Sequence, residues 1–131
     1  ILDRMAEHGT EIKRVINAGG IPQNNPVLNQ VYANCLGRPV LVPAKKVVGL
    51  GSAIFAFLAA GTFASVEEAQ AKVCPPHTRY EPDKSQQKVY EQLYPLFRKL
   101  YFAFGAGDKS PMSDVLPQLI RTAKAVNKNL A

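Results

Sequence analysis

Apolar and polar positions repeat with two periods along these 131 residues. Leu2, Met5 and Ala6 share one face of a short helix that Gly9 would stop. Residues 12–18, IKRVINA, read as a strand, because Ile12, Val15 and Ile16 are β-branched and Gly19-Gly20 ends the run. The period then turns helical over 26–36. Val27, Leu28, Val31, Cys35 and Leu36 line one side. Asn25 is the N-cap, Pro26 takes the first helical position where its missing N–H costs nothing, and Gly37 is the stop. Residues 38–43, RPVLVP, form a short strand closed by Pro43.

Residues 49–60, GLGSAIFAFLAA, are apolar almost all round, which predicts a buried helix. Its small residues, Gly49, Gly51, Ser52, Ala53, Ala56 and Ala60, would let neighbouring backbones come close. A helix from Val66 to Val73 follows, with Ser65 and Glu68 spaced as a capping box. Residues 74–82 are a connector with a brief edge strand at 78–80. A long helix over 84–104 carries the core stripe Val89, Leu93, Leu96, Leu100 and Phe104, and Pro95 should kink it. A last helix runs from Ser113 or Asp114 to Asn127, with Pro117 in its first turn, where backbone donors are free anyway.

This order predicts an α/β fold with a short, incomplete parallel sheet and several helices. Strand–helix–strand over some 30 residues suits a parallel, right-handed unit, and so small a parallel sheet is a poor independent fold. The chain opens on Ile1, in what reads as the last turns of a helix already under way. The expectation is a piece of a longer protein, whose sheet continues in residues outside it.

Charge changes this picture little. The net charge is +6, and the excess sits late: residues 1–83 carry eight basic and seven acidic side chains, residues 84–131 eight basic and three acidic. Spread over helical segments, these charges read as a solvated face. A nucleic-acid surface would show a tight Lys/Arg stripe interleaved with aromatics. The apolar run from Val47 to Ala60 is shorter than the about 20 residues that span a bilayer. No nucleic-acid or membrane partner is expected. Cys35 and Cys74 stand far apart and read as buried thiols of a reducing, cytoplasmic compartment. His8 and His77 have no partner at ligand spacing, so no metal site is expected.

The candidate chemistry lies in residues 16–30, INAGGIPQNNPVLNQ. Here bare backbone stands between a strand and a helix, the end of the strands at which open α/β sheets bind ligands. Gly19 and Gly20 permit unusual backbone angles and close approach of a flat or charged ligand, and the helix from Pro26 presents N–H groups and a positive dipole end. A nucleotide-type ligand is one reading. A tight turn that needs glycine, with Asn25 only capping, is the other. Further phosphate signals fail: there is no G-x-x-x-x-G-K-[ST], and Gly49-x-Gly51 meets Ile54 where G-x-G-x-x-G needs glycine. GAGDK at 105–109 reads as an ordinary loop. With no nucleophile–base arrangement and no paired carboxylates, no catalytic residue is assigned.

The stretches AGGIPQNNPVLNQVYANCLGRPV, GLGSAIFAFLAAGTFASVEEAQAKV and YEPDKSQQKVYEQLYPLFRKLYFAFG resemble the C-terminal end of carbohydrate kinases of the FGGY family. The carrying patterns are A-G-G-[IL]-P-x-x-N-P, then L-G-x-A-I-F-A, then Y-E-x-L-Y-x-L-[YF]-R-x-L, the last favouring the ribulokinase branch. The resemblance covers at least residues 1–105, with 106–131 as a helical extension. It implies an actin-like (ribonuclease-H-like) ATPase fold that binds ATP between two domains. The phosphoryl group would pass to a sugar hydroxyl, with L-ribulose, a ketopentose of arabinose catabolism, as the expected acceptor. The base would be an aspartate of the other domain, and Mg²⁺ would be held mainly by ATP and residues outside this chain. The implied nucleotide-site residues are Gly19, Gly20 and Ile21, with Asn25 matching the family's downstream asparagine and Asn24 as its alternative. Two departures bear on the sugar: Ala44-Lys45-Lys46 replaces a Ser-Asp-Gln-type stretch, and Asn29 stands where Met is usual. The chain alone is expected to be inactive and to form homo-oligomers. Two other readings are a nucleotide-binding module without transfer activity and a basic helical interaction domain over 84–131.

Overall fold

The computed structural model describes residues 1–105 and 111–128. The chain divides into two compact units, Ile1–Pro82 and Asp83–Ala131. Of the loop read at 105–109, all but Gly105 lies outside the described residues.

The first unit opens with α1 (Leu2–Glu7), which His8 caps and Gly9 leaves at φ 77°. Then follow β1 (Val15–Ile16), α2 (Gly20–Asn24), α3 (Pro26–Leu36), β2 (Val40–Pro43), α4 (Leu50–Ala59), α5 (Val66–Val73) and β3 (His77–Tyr80). The sheet order is β1-β2-β3. β1 and β2 run parallel, with Val15 opposite Val40 and Ile16 opposite Leu41. The sheet is nonetheless mixed rather than parallel, because the edge strand expected at 78–80 pairs antiparallel, from Val40 opposite Tyr80 to Pro43 opposite His77.

The strand expected over 12–18 shrinks to two residues. Beyond Ile16 the ladder gains one more bond, Asn17 N–H to the Leu41 carbonyl at 2.8 Å, and the chain then turns at Gly19. Before the strand, the Arg38 guanidinium donates to the Ile12 carbonyl at 3.3 Å and so ties the approach to β1 to the approach to β2.

β2 has a partner on each side, so its residues make the core. Val40 and Val42 are buried with Ala33, and Val15, Leu36 and Tyr80 pack around them. The face of α3 differs from the expected one. Asn29, Ala33 and Asn34 are its buried residues, Val27 is 72% exposed and Cys35 is exposed. Cys74 is exposed as well, so neither thiol is the buried one that the sequence suggests.

α4 is also less buried than its composition predicts. Only Ile54 is buried, and Phe55 is 67% exposed. Within its unit α4 packs against α5, and one helical neighbour covers one stripe rather than a whole circumference. Phe57 meets Phe63 edge-on, with ring centroids 5.7 Å apart. The capping box of α5 forms with a one-residue shift. Ser65 Oγ accepts from the Glu68 N–H at 3.1 Å, while the Glu68 carboxylate reaches back to the N–H of Ala64, not of Ser65, at 2.9 Å.

The second unit pairs α6 (Lys84–Gly105) with α7 (Val115–Lys128). Asp83 caps α6, its Oδ1 accepting from the N–H groups of Ser85 at 2.8 Å and Gln86 at 3.2 Å. Leu96 is the one buried member of the expected stripe. Val89, Leu93 and Leu100 are half-buried, and Phe104 is 80% exposed. The helix continues through Pro95, and Pro117 lies in the first turn of α7, as its position predicts. Lys99 donates to the Asp114 carboxylate, and Gln118 donates to the other oxygen of that group at 2.7 Å, which ties α6 to the start of α7.

Candidate nucleotide site

The segment from Gly19 to Asn25 connects the end of β1 to α3. Gly19 precedes α2 at φ 121°, ψ 178°, a backbone region essentially closed to residues with a Cβ. Gly20 is the first residue of α2, its φ is not positive, and a Cβ built on it would meet nothing within 4 Å. Ile21 beside it is 69% exposed. Pro22 turns the other way and is buried.

The amides hold this turn in shape. Asn24 Nδ2 donates to the Gly20 carbonyl at 2.8 Å, across the length of α2. Asn25 Oδ1 accepts from the Leu28 N–H at 2.9 Å, the N-cap expected from the sequence. That bond consumes one of the N–H groups that the start of α3 would otherwise offer. Gln23 Nε2 reaches the Pro43 carbonyl at 3.4 Å, a link from α2 to the end of β2. Beneath the turn lies Asn29, fully buried, donating through Nδ2 to the Pro22 carbonyl at 2.7 Å and accepting at Oδ1 from Asn17 Nδ2 at 3.2 Å.

The structure thus brings Gly19, Gly20, Ile21, Asn24 and Asn25 into one turn. Gly20 and Ile21 form its uncovered side, and the two asparagines are occupied with the chain's own backbone. Asn17 carries no role in the sequence reading, and Asn29 enters it only as a departure from the family pattern, not as part of the turn. An Asn in the middle of an apolar helical pattern was the available signal, since a polar residue at a core position requires a built partner.

No charged side chain lies between Ile16 and Gln30. The turn can offer bare backbone and an apolar surface to a ligand, but no proton donor or acceptor for acid–base chemistry. Among the described residues, no three His, Cys, Asp or Glu side chains gather as metal ligands, and no helix is long and apolar enough to cross a membrane. The lowered carboxyl groups lie in the second unit. The Ser85 hydroxyl, then the Gln86 and Ser85 N–H groups, hold Asp83 below its ordinary value, and the Lys99 ammonium does so for Asp114. On α6 the Arg98 guanidinium lies over the rings of Phe102 and Tyr94, at 5.5 and 6.0 Å from their centroids, and these residues line a cavity with Pro95 and Lys99.

Residues 1–60 match the model of the C-terminal domain of the FGGY family of carbohydrate kinases. The ribulokinase of Geobacillus thermodenitrificans is 32% identical over 136 residues, which cover 99% of this chain and 24% of that protein. The ribulokinase of Anoxybacillus flavithermus is 31% identical over 137 residues, covering 100% of this chain and 24% of the relative. A human FGGY carbohydrate kinase domain-containing protein is 33% identical over 101 residues, 76% of this chain and 18% of the relative. The chain therefore spans about a quarter of the length of the ribulokinases it matches. The A-G-G-I-P turn and the helices after it are those of a C-terminal, ribulokinase-like part: this chain belongs to the FGGY family of carbohydrate kinases.

Proposed function

We propose that this chain is the adenosine-binding part of an ATP-dependent sugar kinase that phosphorylates L-ribulose in the cytoplasm. The observation that carries the reading is Gly20. Its backbone is ordinary and the space where a side chain would stand is empty, so nothing in the chain itself requires glycine there. A flat ligand lying against Gly20 and Ile21 would require it. The uncharged character of the turn suits the nucleoside end of a nucleotide better than its phosphates.

In this reading the domain is part of an actin-like ATPase fold, and ATP bound with Mg²⁺ supplies the phosphoryl group. The residues here bind and orient. Gly19 sets the direction in which the chain leaves β1, Gly20 and Ile21 receive the adenosine, and Asn24 and Asn25 keep the turn and the start of α3 in register. The aspartate that takes the sugar proton lies in the other domain. Similarity to ribulokinases supports L-ribulose as acceptor. Ala44-Lys45-Lys46 is the stretch of this chain to exchange if another ketopentose is preferred.

The test is ATP titration and kinase assay of the full-length protein with L-ribulose, beside Gly20→Val. The expected result is a raised KM for ATP in the variant, at unchanged folding and unchanged KM for the sugar. Equal KM values for ATP would reduce the glycine pair to a turn. The isolated 131-residue chain should transfer no phosphate, and measurable phosphorylation of L-ribulose by it would refute the division of labour.

A further inference from the structure

Asn29 is fully buried, and both ends of its carboxamide are used. The two bonds run to different parts of the site. Nδ2 holds the Pro22 carbonyl within α2, and Oδ1 holds Asn17, whose own N–H is bonded to Leu41 of β2. A continuous path therefore runs from the sheet through Asn17 and Asn29 to Pro22, two positions from Gly20. We propose that Asn29 is a positioning residue for the nucleotide: its side chain fixes the height and tilt of the Gly20–Ile21 surface relative to the end of β1.

A five-residue helix cannot do this by itself, since α2 leaves most of its own carbonyls without helical partners. Pro22 makes the need acute. Its carbonyl faces the interior, where the Asn25 N–H reaches it only at 3.5 Å, and Asn29 supplies the short bond. A hydrocarbon at position 29 would fill the volume and leave both the Pro22 carbonyl and the Asn17 amide without this partner. The two tethers also differ in kind. Gln23 holds α2 from its side, to Pro43, whereas Asn29 holds it from below.

Asn34 provides an internal comparison. It too is fully buried on α3, and it accepts from Gln30 Nε2 at 2.9 Å; the same Gln30 amide donates to the Glu81 carbonyl at 2.6 Å. That link serves the segment after β3 and does not involve α2. Loss of Asn34 should therefore weaken the unit without moving the turn.

This inference rests on the nucleotide reading of the turn. Its test measures KM for ATP, KM for L-ribulose and melting temperature in the full-length protein and in Asn29→Leu, Asn17→Ala and Asn34→Leu. Misplacing a binding surface by a fraction of an ångström should raise the ATP KM of Asn29→Leu roughly fivefold or more. The sugar KM should stay within about twofold, and Asn34→Leu should lose melting temperature with both KM values kept. If Asn29→Leu does not fold, Asn17→Ala decides the matter, because it removes only the lower bond at a half-buried position. Equal ATP KM values in wild type and both turn variants, or an equal rise in Asn34→Leu, would overturn the role. Absence of ATP saturation in the wild type would instead remove the nucleotide reading, and the role of Asn29 with it.

Discussion

Gly19 and Gly20 are adjacent but differ in what their backbones ask of the residue type. Gly19 holds φ 121° with ψ 178°, while Gly20 begins α2 with no positive φ and open space where its Cβ would be. The pair thus sets a position whose backbone requires glycine beside one whose backbone does not.

Gly19→Ala should destabilise the first unit by about 1–3 kcal/mol, the cost of forcing a Cβ into that backbone region. Gly20→Ala should not destabilise it, since alanine is favoured over glycine in a helix by up to about 1 kcal/mol. Urea unfolding of the two variants checks the contrast. Equal losses would mean that the turn needs both glycines for its own geometry.

The elements of the first unit were legible where local chemistry decides. α3 keeps its predicted bounds because Asn25, Pro26 and Gly37 punctuate it, and Gly37 takes the left-handed φ of 60° at its C-cap. α5 is likewise marked by Ser65 and Glu68. What the pattern missed depends on partners distant in sequence. Apolar spacing put Val27 and Cys35 on the inner face of α3, yet Asn29 and Asn34 lie there, because Asn17, Pro22 and Gln30 supply their hydrogen bonds. α4 reads as a core helix from composition, but exposure depends on how many neighbours cover it. In the site, the glycines were found from their type, and the buried amides under them were not.

Asn25 and Asn24 make different predictions despite their adjacency. Asn25→Ala removes the N-cap of α3 and should cost about 1 kcal/mol. Asn24→Ala breaks an exposed bond to the Gly20 carbonyl and should stay within about 0.5 kcal/mol. Nucleotide titration beside thermal melts distinguishes capping from contact. A fall in ATP affinity larger than the stability loss explains would assign the responsible asparagine to the ligand.

The second unit should weaken in acid through Asp114. Its carboxyl is held below the ordinary value of 3.8, chiefly by the Lys99 ammonium. Because the folded value is the lower one, this contribution is complete above the unfolded value and is lost as pH falls through the folded one. Asp114→Asn removes it at every pH. The melting-temperature gap between wild type and variant should therefore be constant near neutrality and close below about pH 4. A gap that persists unchanged in strong acid would show that Lys99 and Asp114 do not interact in solution.

Self-association is expected of the isolated chain. Ile16 on the edge strand β1, and Val48 and Phe55 at and beside α4, expose apolar surface that soluble monomers usually cover. Sedimentation should find dimers or larger species, and Phe55→Ser should shift them toward monomer. A single monomeric species for the unmodified chain at high concentration would count against this.

The central position of β2 has a kinetic consequence. Its four residues pair with β1 on one side and β3 on the other, and both partners are remote in sequence. The capped helices can form early from local contacts, but the sheet closes only when two long loops find the same short strand. Refolding speed should thus be more sensitive than melting temperature to residues inserted in the turn after α4, around Gly61 and Thr62. The rate at which this unit assembles is governed by the connections between its elements as much as by the residues in its core.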